Sequence, residues 1–160
     1  MTVVRSGTEA DVPIAIRIWD EAARAHERDY VLPDRVEKAI GYALLPGSSL
    51  LIAEREKKIV GMIMVGQGRS NGGAGDPIVG LAHIGLIAVA PGFWSQGVGR
   101  SLVLAALSGA REAGFAEAQL WVRDDNIRAC RLYESVGFRM TDDAMKNDLG
   151  KIMHRHVISL

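Results

Sequence analysis

The chain has 160 residues, nearly half of them apolar and a quarter charged, which fits one globular domain, residues 1–160, with enough length to bury a core. Its 19 basic and 19 acidic side chains cancel, which argues against a dedicated nucleic-acid binder. Cys130, the single cysteine, excludes an internal disulfide and a cysteine-built zinc site, and no apolar run nears the roughly 20 residues that cross a bilayer. The first residues, Met-Thr-Val-Val-Arg-Ser, lack the basic-then-apolar layout of a signal peptide, so the expectation is a soluble cytoplasmic protein without membrane partners.

Thr2 to Arg5 reads as a short strand. Thr8-x-x-Asp11 resembles a capping box, and Pro13 is tolerated in a first helical turn. Ile14, Ile18, Ala22 and Ala25 then recur at helical spacing to about Arg28. After a break at Asp29 to Pro33, the pattern predicts a second helix from Asp34 to Leu44, ended by Pro46-Gly47. Ser49–Glu54 and Ile59–Val65 are strand-like around the charged turn Arg55-Glu56-Lys57-Lys58, which makes a hairpin. Gly66 to Pro77 holds five glycines with Ser70, Asn71 and Asp76, so a mobile loop is expected there. Such a loop is either a flap over a substrate or a long hairpin tip, and the hairpin tip is preferred.

Ile78 to Val89 reads as a long strand that stops at Pro91-Gly92. A small-residue loop follows and opens into an Ala/Leu-rich helix from Gly97 to Ala113, with Gly114 as its stop. The first turn of a helix carries N–H groups without intrahelical partners at the positive end of the dipole, a ready site for phosphate. Gly97 and Gly99 let an anion approach the backbone, and Arg100 and Ser101 add side-chain donors. The spacing is not that of a nucleotide P-loop, because Val98-Gly99 follows Gly97 where Lys and Ser/Thr are needed. Nor is it the dinucleotide fingerprint, because Leu102 occupies the third glycine position. Alone, such a turn serves equally well as a tight connection with no ligand.

Ala118 to Val122 is another short strand. Asp125-Asn126 caps a helix from Ile127 to Val136, and Gly137 ends it. Asn126, Ala129, Cys130 and Tyr133 form one stripe of that helix. Phe138–Thr141 and Lys151–Ile158 read as the last strands around a polar turn at Asp142–Leu149. Ile152, His154, His156 and Ile158 share one face of the final strand. The element order β-α-α-β-β-β-α-β-α-β-β indicates an α/β fold with a mixed sheet.

Two stretches together resemble the GNAT superfamily of acyl-CoA-dependent N-acetyltransferases. One is Trp94-Ser-Gln-Gly97-Val-Gly99 after a strand. The other is Asn126-x-x-Ala129-x-x-Leu132-Tyr133-x-x-x-Gly137-Phe138, about 30 residues later in the right order. The resemblance covers essentially the whole chain and implies a mixed central sheet of about seven strands flanked by four helices. It implies acetyl-CoA as co-substrate, no metal, and an amine acceptor, a small molecule in preference to a protein. The pantetheine arm would pair with the backbone of Ile87, Ala88 and Val89 and meet Asn126 and Ala129. The pyrophosphate would sit on the amides of the Ser95, Gln96, Gly97, Val98, Gly99, Arg100 and Ser101 segment. Trp94 departs from the family pattern, which has Arg or Gln in the first loop slot; a weaker cofactor grip is expected, since backbone amides supply most phosphate contacts.

By the same resemblance Tyr133 is the general acid that meets the departing CoA thiolate, while its residue type alone also suits packing at a helix–sheet boundary. His83, six residues before Val89, is the candidate base, because imidazole titrates in the useful range; a strand histidine is more often a structural residue. His26, His154 and His156 rank below it, the last two as residues that line the acceptor side. Cys130 packs beside cofactor and lacks the partners of a nucleophile. Arg123, Arg128 and Arg131 suit either the CoA 3′-phosphate or one solvated helix face. The acceptor would enter between the region around Ala25–Leu32 and the loop at Asp142–Leu149. The competing readings are a non-catalytic acyl-CoA-binding sensor and an acetyltransferase of protein N-termini or lysines. A homodimer through a sheet edge rests on fold analogy.

Overall fold

The computed structural model describes residues 1–26, 47–147 and 149–160. Strand β1 is Val3–Ser6, and a single 3-10 turn over Glu9–Asp11 leads into helix α1, Val12–His26. Then come β2 (Ser49–Arg55), β3 (Lys58–Arg69), β4 (Pro77–Val89), helix α2 (Val98–Glu112) and β5 (Glu117–Arg123). Helix α3 (Ile127–Val136), β6 (Arg139–Lys146) and β7 (Ile152–Ser159) complete the order. The seven strands form one mixed sheet, as expected, and their order in it is β1-β2-β3-β4-β5-β7-β6. The helix expected at Asp34–Leu44 and the break before it lie outside the described residues.

The chain divides into two compact units, Met1–Gly66 with Gly85–Ala106, and Gln67–Ile84 with Leu107–Leu160. The first unit is built on α1. Its apolar positions Ala15 and Ile18 recur on one face and bury against Ile52, Met62, Met64 and Ala88. Asp11 secures the start of that helix: its Oδ2 accepts from the Thr8 amide at 2.7 Å and from the Arg5 guanidinium at 2.8 Å. Arg5 also donates to Glu54 on β2 at 2.7 Å. These bonds hold the Asp11 carboxyl well below the usual carboxylate range, the Arg5 contact contributing most.

In the second unit a parallel ladder pairs Leu81–Ile84 of β4 with Glu117–Leu120 of β5. Strand β5 pairs antiparallel with β7 from Glu117↔Ser159 to Arg123↔Met153, and β7 pairs in turn with β6. Gly137 ends α3 at φ 119°, where a side chain would be strained, and its amide donates to the carbonyls of Tyr133 and Glu134.

Two expectations fail here for physical reasons. The glycine-rich stretch is not a loop from Gly66 onward: β3 runs to Arg69, and the connection shrinks to Ser70–Asp76. Gly68 is glycine because a Cβ there would lie 2.6 Å from Leu81 Cγ, so it marks close packing between neighbouring strands. Gln67 reinforces the pairing by donating from Nε2 to the carbonyls of Gly68, Ile78 and Leu81. The polar turn expected at Asp142–Leu149 is mostly strand, since β6 continues to Lys146. Its polar residues suit an exposed edge strand: Asp143 pairs with Arg155 at 2.8 Å, and Thr141 Oγ1 donates to the Arg155 carbonyl. A register shift between Met140 and Ala144 hides the strand from any simple alternation.

Candidate functional site

The glycine loop belongs to the first unit. Strand β4 ends at Val89, and the Ala90 amide donates to the Val60 carbonyl at 2.8 Å. A 3-10 turn over Pro91–Phe93 follows, and then the chain passes through Ser95 at φ 61° and Gly97 at φ 82° before α2 begins at Val98. Two left-handed residues so close together reverse the chain sharply, and the non-glycine one is a cost that local contacts must offset.

Those contacts are side-chain braces. Trp94 Nε1 donates to the Val89 carbonyl at 2.7 Å. Gln96 Nε2 donates to the Gly92 carbonyl at 3.3 Å, and its Oε1 accepts from Arg55 Nη1 at the end of β2. The helix itself is seated through Gly61 on β3, where a Cβ would meet Leu102 Cδ1 at 3.0 Å and the Ala88 carbonyl at 3.1 Å. Val98 and Leu102 are buried.

The first intrahelical bond of α2 is Ser101 N–H to the Gly97 carbonyl at 3.1 Å, so the preceding N–H groups head the helix at the positive end of its dipole. No acidic residue stands in that first turn. The arrangement suits an anion. The Ser101 hydroxyl donates back to the Gly97 carbonyl at 3.1 Å. Leu86, Ala88 and Ala90 pack on the core, so strand alternation turns Ile87 and Val89 to the opposite face.

The second motif lies in the other unit. Asn126 Oδ1 caps α3 by accepting from the Ala129 amide at 3.3 Å. Its carbonyl accepts from the Cys130 amide, and Cys130 Sγ donates weakly to the Arg123 carbonyl at 3.6 Å. Burial, with Asp124 and Glu134 adding to it, pushes the Cys130 thiol up, which suits a packing residue and not a nucleophile. Tyr133 is buried, 5% exposed, with its ring edge-on to Phe138 at 5.8 Å between centroids. Burial pushes its phenol well above the ordinary value for tyrosine.

The histidines and arginines are largely committed elsewhere. Arg123 grips Asp125 through two bonds at 2.9 and 2.6 Å. His154 Nδ1 meets Asp124 at 2.6 Å. His156 is 2% exposed, and its Nδ1 has no hydrogen-bond partner among the described residues; burial pushes its pKa down.

His83 Nδ1 lies 3.3 Å from Gln119 Nε2, and Gln119 Oε1 accepts from Arg155. Arginine only donates, so the amide orientation is fixed and Gln119 donates to Nδ1. The neutral imidazole then carries its proton on Nε2. Burial also pushes the His83 pKa down. Sequence reasoning did not find Gln119, Arg55 or the bracing role of Trp94. Arg55 and Gln96 are 41 positions apart, and no local pattern signals their contact.

Residues 14–138 match the family model described as the Acetyltransferase (GNAT) family. The chain belongs to the GNAT acetyltransferase family. Both motifs fall inside the matched segment. Among curated proteins, this GNAT chain is similar to a mycothiol acetyltransferase of Nocardiopsis dassonvillei, with 41% identity over 68 residues, 42% of the chain and 20% of that protein. A mycothiol acetyltransferase of Acidothermus cellulolyticus is 28% identical over 142 residues, 84% of the chain and 43% of that protein. The chain thus matches less than half the length of these curated relatives.

Among solved structures, the ribosomal-protein-alanine N-acetyltransferase of Brucella melitensis superposes with a TM-score of 0.75 at 23% identity, covering 99% of each chain. A putative acetyltransferase from Salmonella typhimurium, solved with its cofactor acetyl-CoA, gives 0.76 at 21% identity, covering 100% of this chain and 94% of that one. At such identities these neighbours establish the fold. Among the described residues, no helix is long and apolar enough to cross a membrane.

Proposed function

We propose that this GNAT chain transfers an acetyl group from acetyl-CoA to a primary amine by direct attack of the amine on the thioester. The observation that carries the reading is the head of α2, braced by Trp94 and Gln96 and without acidic residues in its first turn, inside the family-matched segment. The pyrophosphate would take the amides from Gln96 to Ser101. The pantetheine arm would run along Ile87–Val89, past the last β4 residue in the ladder with β5. Asn126 Oδ1 accepts from the Ala129 amide, and its NH₂ group and second oxygen lone pair would be what it offers the arm.

Transfer needs a neutral amine, a donor for the oxyanion and a donor for the leaving thiolate. Tyr133 would serve the thiolate. With its phenol raised above 10 and a thiol near 8.5, complete proton transfer is uphill by at least about 2 kcal/mol, so Tyr133 acts first as a hydrogen-bond donor. His83 would act as base only after giving up its bond from Gln119; as found, its Nε2–H is a donor. A small-molecule acceptor is the first choice, and the test panel includes the acceptor of the mycothiol acetyltransferases and an alanine-terminated peptide.

The test is thermal melting with acetyl-CoA, with dephospho-CoA as control, followed by thiol release with the amine panel. At 100 times the dissociation constant, binding adds about 2.7 kcal/mol, a rise of roughly 5–10 °C. No shift at millimolar acetyl-CoA would sink the reading. Tyr133→Phe is expected to keep the shift and lose on the order of 10²-fold in turnover. A binding chain without thiol release in the wild type would instead be an acyl-CoA sensor.

A further inference from the structure

The loop lacks a cationic side chain at the slot where the family pattern has Arg or Gln. Trp94 fills it, and the indole's one polar group, Nε1–H, donates to the Val89 carbonyl 2.7 Å away. That side chain braces the loop from inside. A guanidinium nevertheless reaches the loop from a different strand. Arg55, the last residue of β2, donates from Nη1 to Gln96 Oε1, and Gln96 immediately precedes Gly97 and the head of α2.

The hairpin that presents Arg55 is unusual. Arg55 pairs with Lys58, and the two residues between them, Glu56 and Lys57, sit at φ 50° and 64°. Such a two-residue turn normally calls on Asn-Gly, because both positions are left-handed. Here side-chain-bearing residues carry that strain, and the tight turn keeps Arg55 at the very end of its strand, half-buried and aimed at Gln96. Strained positions of this kind gather at binding sites. The guanidinium has five donors in a planar fork suited to phosphate oxygens, and the contact to Gln96 engages one nitrogen.

We infer that Arg55 is a phosphate-binding residue of the glycine loop, supplied in place of a cation at position 94, and that it contacts the pyrophosphate of the cofactor. This rests on the acetyl-CoA reading above. Gln96 positions the fork; the fork meets the ligand. Arg55 therefore sets affinity and its salt dependence, and it leaves recognition of the pantetheine arm alone.

The test measures dissociation constants by calorimetry for CoA, dephospho-CoA and pantetheine, at low and high salt, with the wild type, Arg55→Gln, Arg55→Lys and Gln96→Ala. Arg55→Gln should weaken CoA and dephospho-CoA alike by roughly tenfold at low salt, while pantetheine binding stays the same. Its CoA affinity should also depend less on salt than that of the wild type. Arg55→Lys should recover a good part of the loss. Gln96→Ala should cost less than Arg55→Gln and keep the wild-type salt dependence.

Equal CoA affinity in wild type and Arg55→Gln would overturn the inference while the cofactor reading stands. A loss confined to CoA would put Arg55 on the 3′-phosphate and overturn it too. If Gln96→Ala reproduces the whole effect, Arg55 is a brace and no ligand. A wild type that binds none of the three removes the cofactor reading, and this inference with it. Apo melting temperatures of each variant separate a binding loss from a folding loss.

Discussion

Two stretches of this chain look alike on paper, yet Gly68 in one and Gly97 in the other are required for opposite reasons. Gly66–Pro77 has five glycines, and Pro91–Gly99 has three. In the first, Gly68 is required by space: β3 and β4 approach so closely that a Cβ would lie 2.6 Å from Leu81 Cγ and 2.9 Å from the Leu81 carbonyl oxygen. In the second, Gly97 is required by angle: φ is 82°, and no atom lies within 4 Å of where its Cβ would be. One glycine closes a sheet. The other turns the chain into a helix head and leaves room in front of it. Glycine content therefore says little about ligand binding, whereas the reason for each glycine says a good deal.

That contrast can be broken by single substitutions. The largest effect is expected from Gly68→Ala. The added methyl must displace both a buried leucine and backbone, which costs about 1–3 kcal/mol. For a chain of this size the melting temperature should fall by roughly 3–10 °C, with CoA affinity unchanged when measured well below the transition. An unchanged melting temperature would mean that the strands part easily, and that space is not what requires glycine there.

Gly97→Ala should produce the mirror result. Holding alanine in the left-handed region costs about 1–2 kcal/mol, a drop of roughly 2–8 °C. Since the same turn aims the amides that head α2, CoA affinity should fall as well, by about tenfold on the scale of one charge-assisted hydrogen bond. A melting loss without an affinity loss would show that the turn relaxes elsewhere and that the ligand does not depend on it.

The pH at which these melts are run matters because of His156. Its imidazole is buried, and its pKa in the folded chain lies below the unfolded value of 6.5. The unfolded chain then binds a proton first as pH falls, so stability drops from about pH 6.5 down to the folded pKa and levels off below it. Asp11 behaves likewise lower down: its contribution is present above its unfolded value of 3.8 and is lost as pH falls through the depressed folded value. His156→Phe should reduce the upper decline and leave the share of His83, whose pKa burial also pushes down. If the slope between pH 6.5 and 5 is the same in both proteins, another group titrates there, and glycine variants are then compared at pH 7.5 alone.

The glycine loop was legible because its signals are local. An apolar run, Pro91-Gly92, two small residues and an Ala/Leu period occupy one window, and α3 announces itself through Asn126 and Gly137 in the same way. The far end of β3 was not legible, since Gly66 and Gly68 carry the local mark of a turn and only Leu81, across the sheet, explains Gly68. The second half of β6 reads as a turn because a register shift interrupts its pairing with β7 after Met140 and its polar side chains suit an exposed edge. The Trp94 substitution was visible, but its use was not. An indole bonded to Val89 is a tertiary fact, as is the guanidinium that Arg55 brings from 41 positions upstream.

Gly92 offers the finest test, because neither reason applies to it. Its φ is not left-handed, and a Cβ would meet no atom within 4 Å. Replacing it by alanine should stabilise the apo chain by about 0.4–1 kcal/mol, a rise of roughly 1–4 °C, by restricting the unfolded chain. Its carbonyl still accepts from Gln96, so the brace survives. The amides assigned to the pyrophosphate begin at Gln96, four residues on, and with that brace left in place affinity for CoA should stay within about twofold. A clear loss of affinity at unchanged apo stability would extend the ligand's footprint back over the Pro91–Phe93 turn. The open space in front of Gly92 would then have the same purpose as that in front of Gly97, and the loop would be built for its ligand along its whole length.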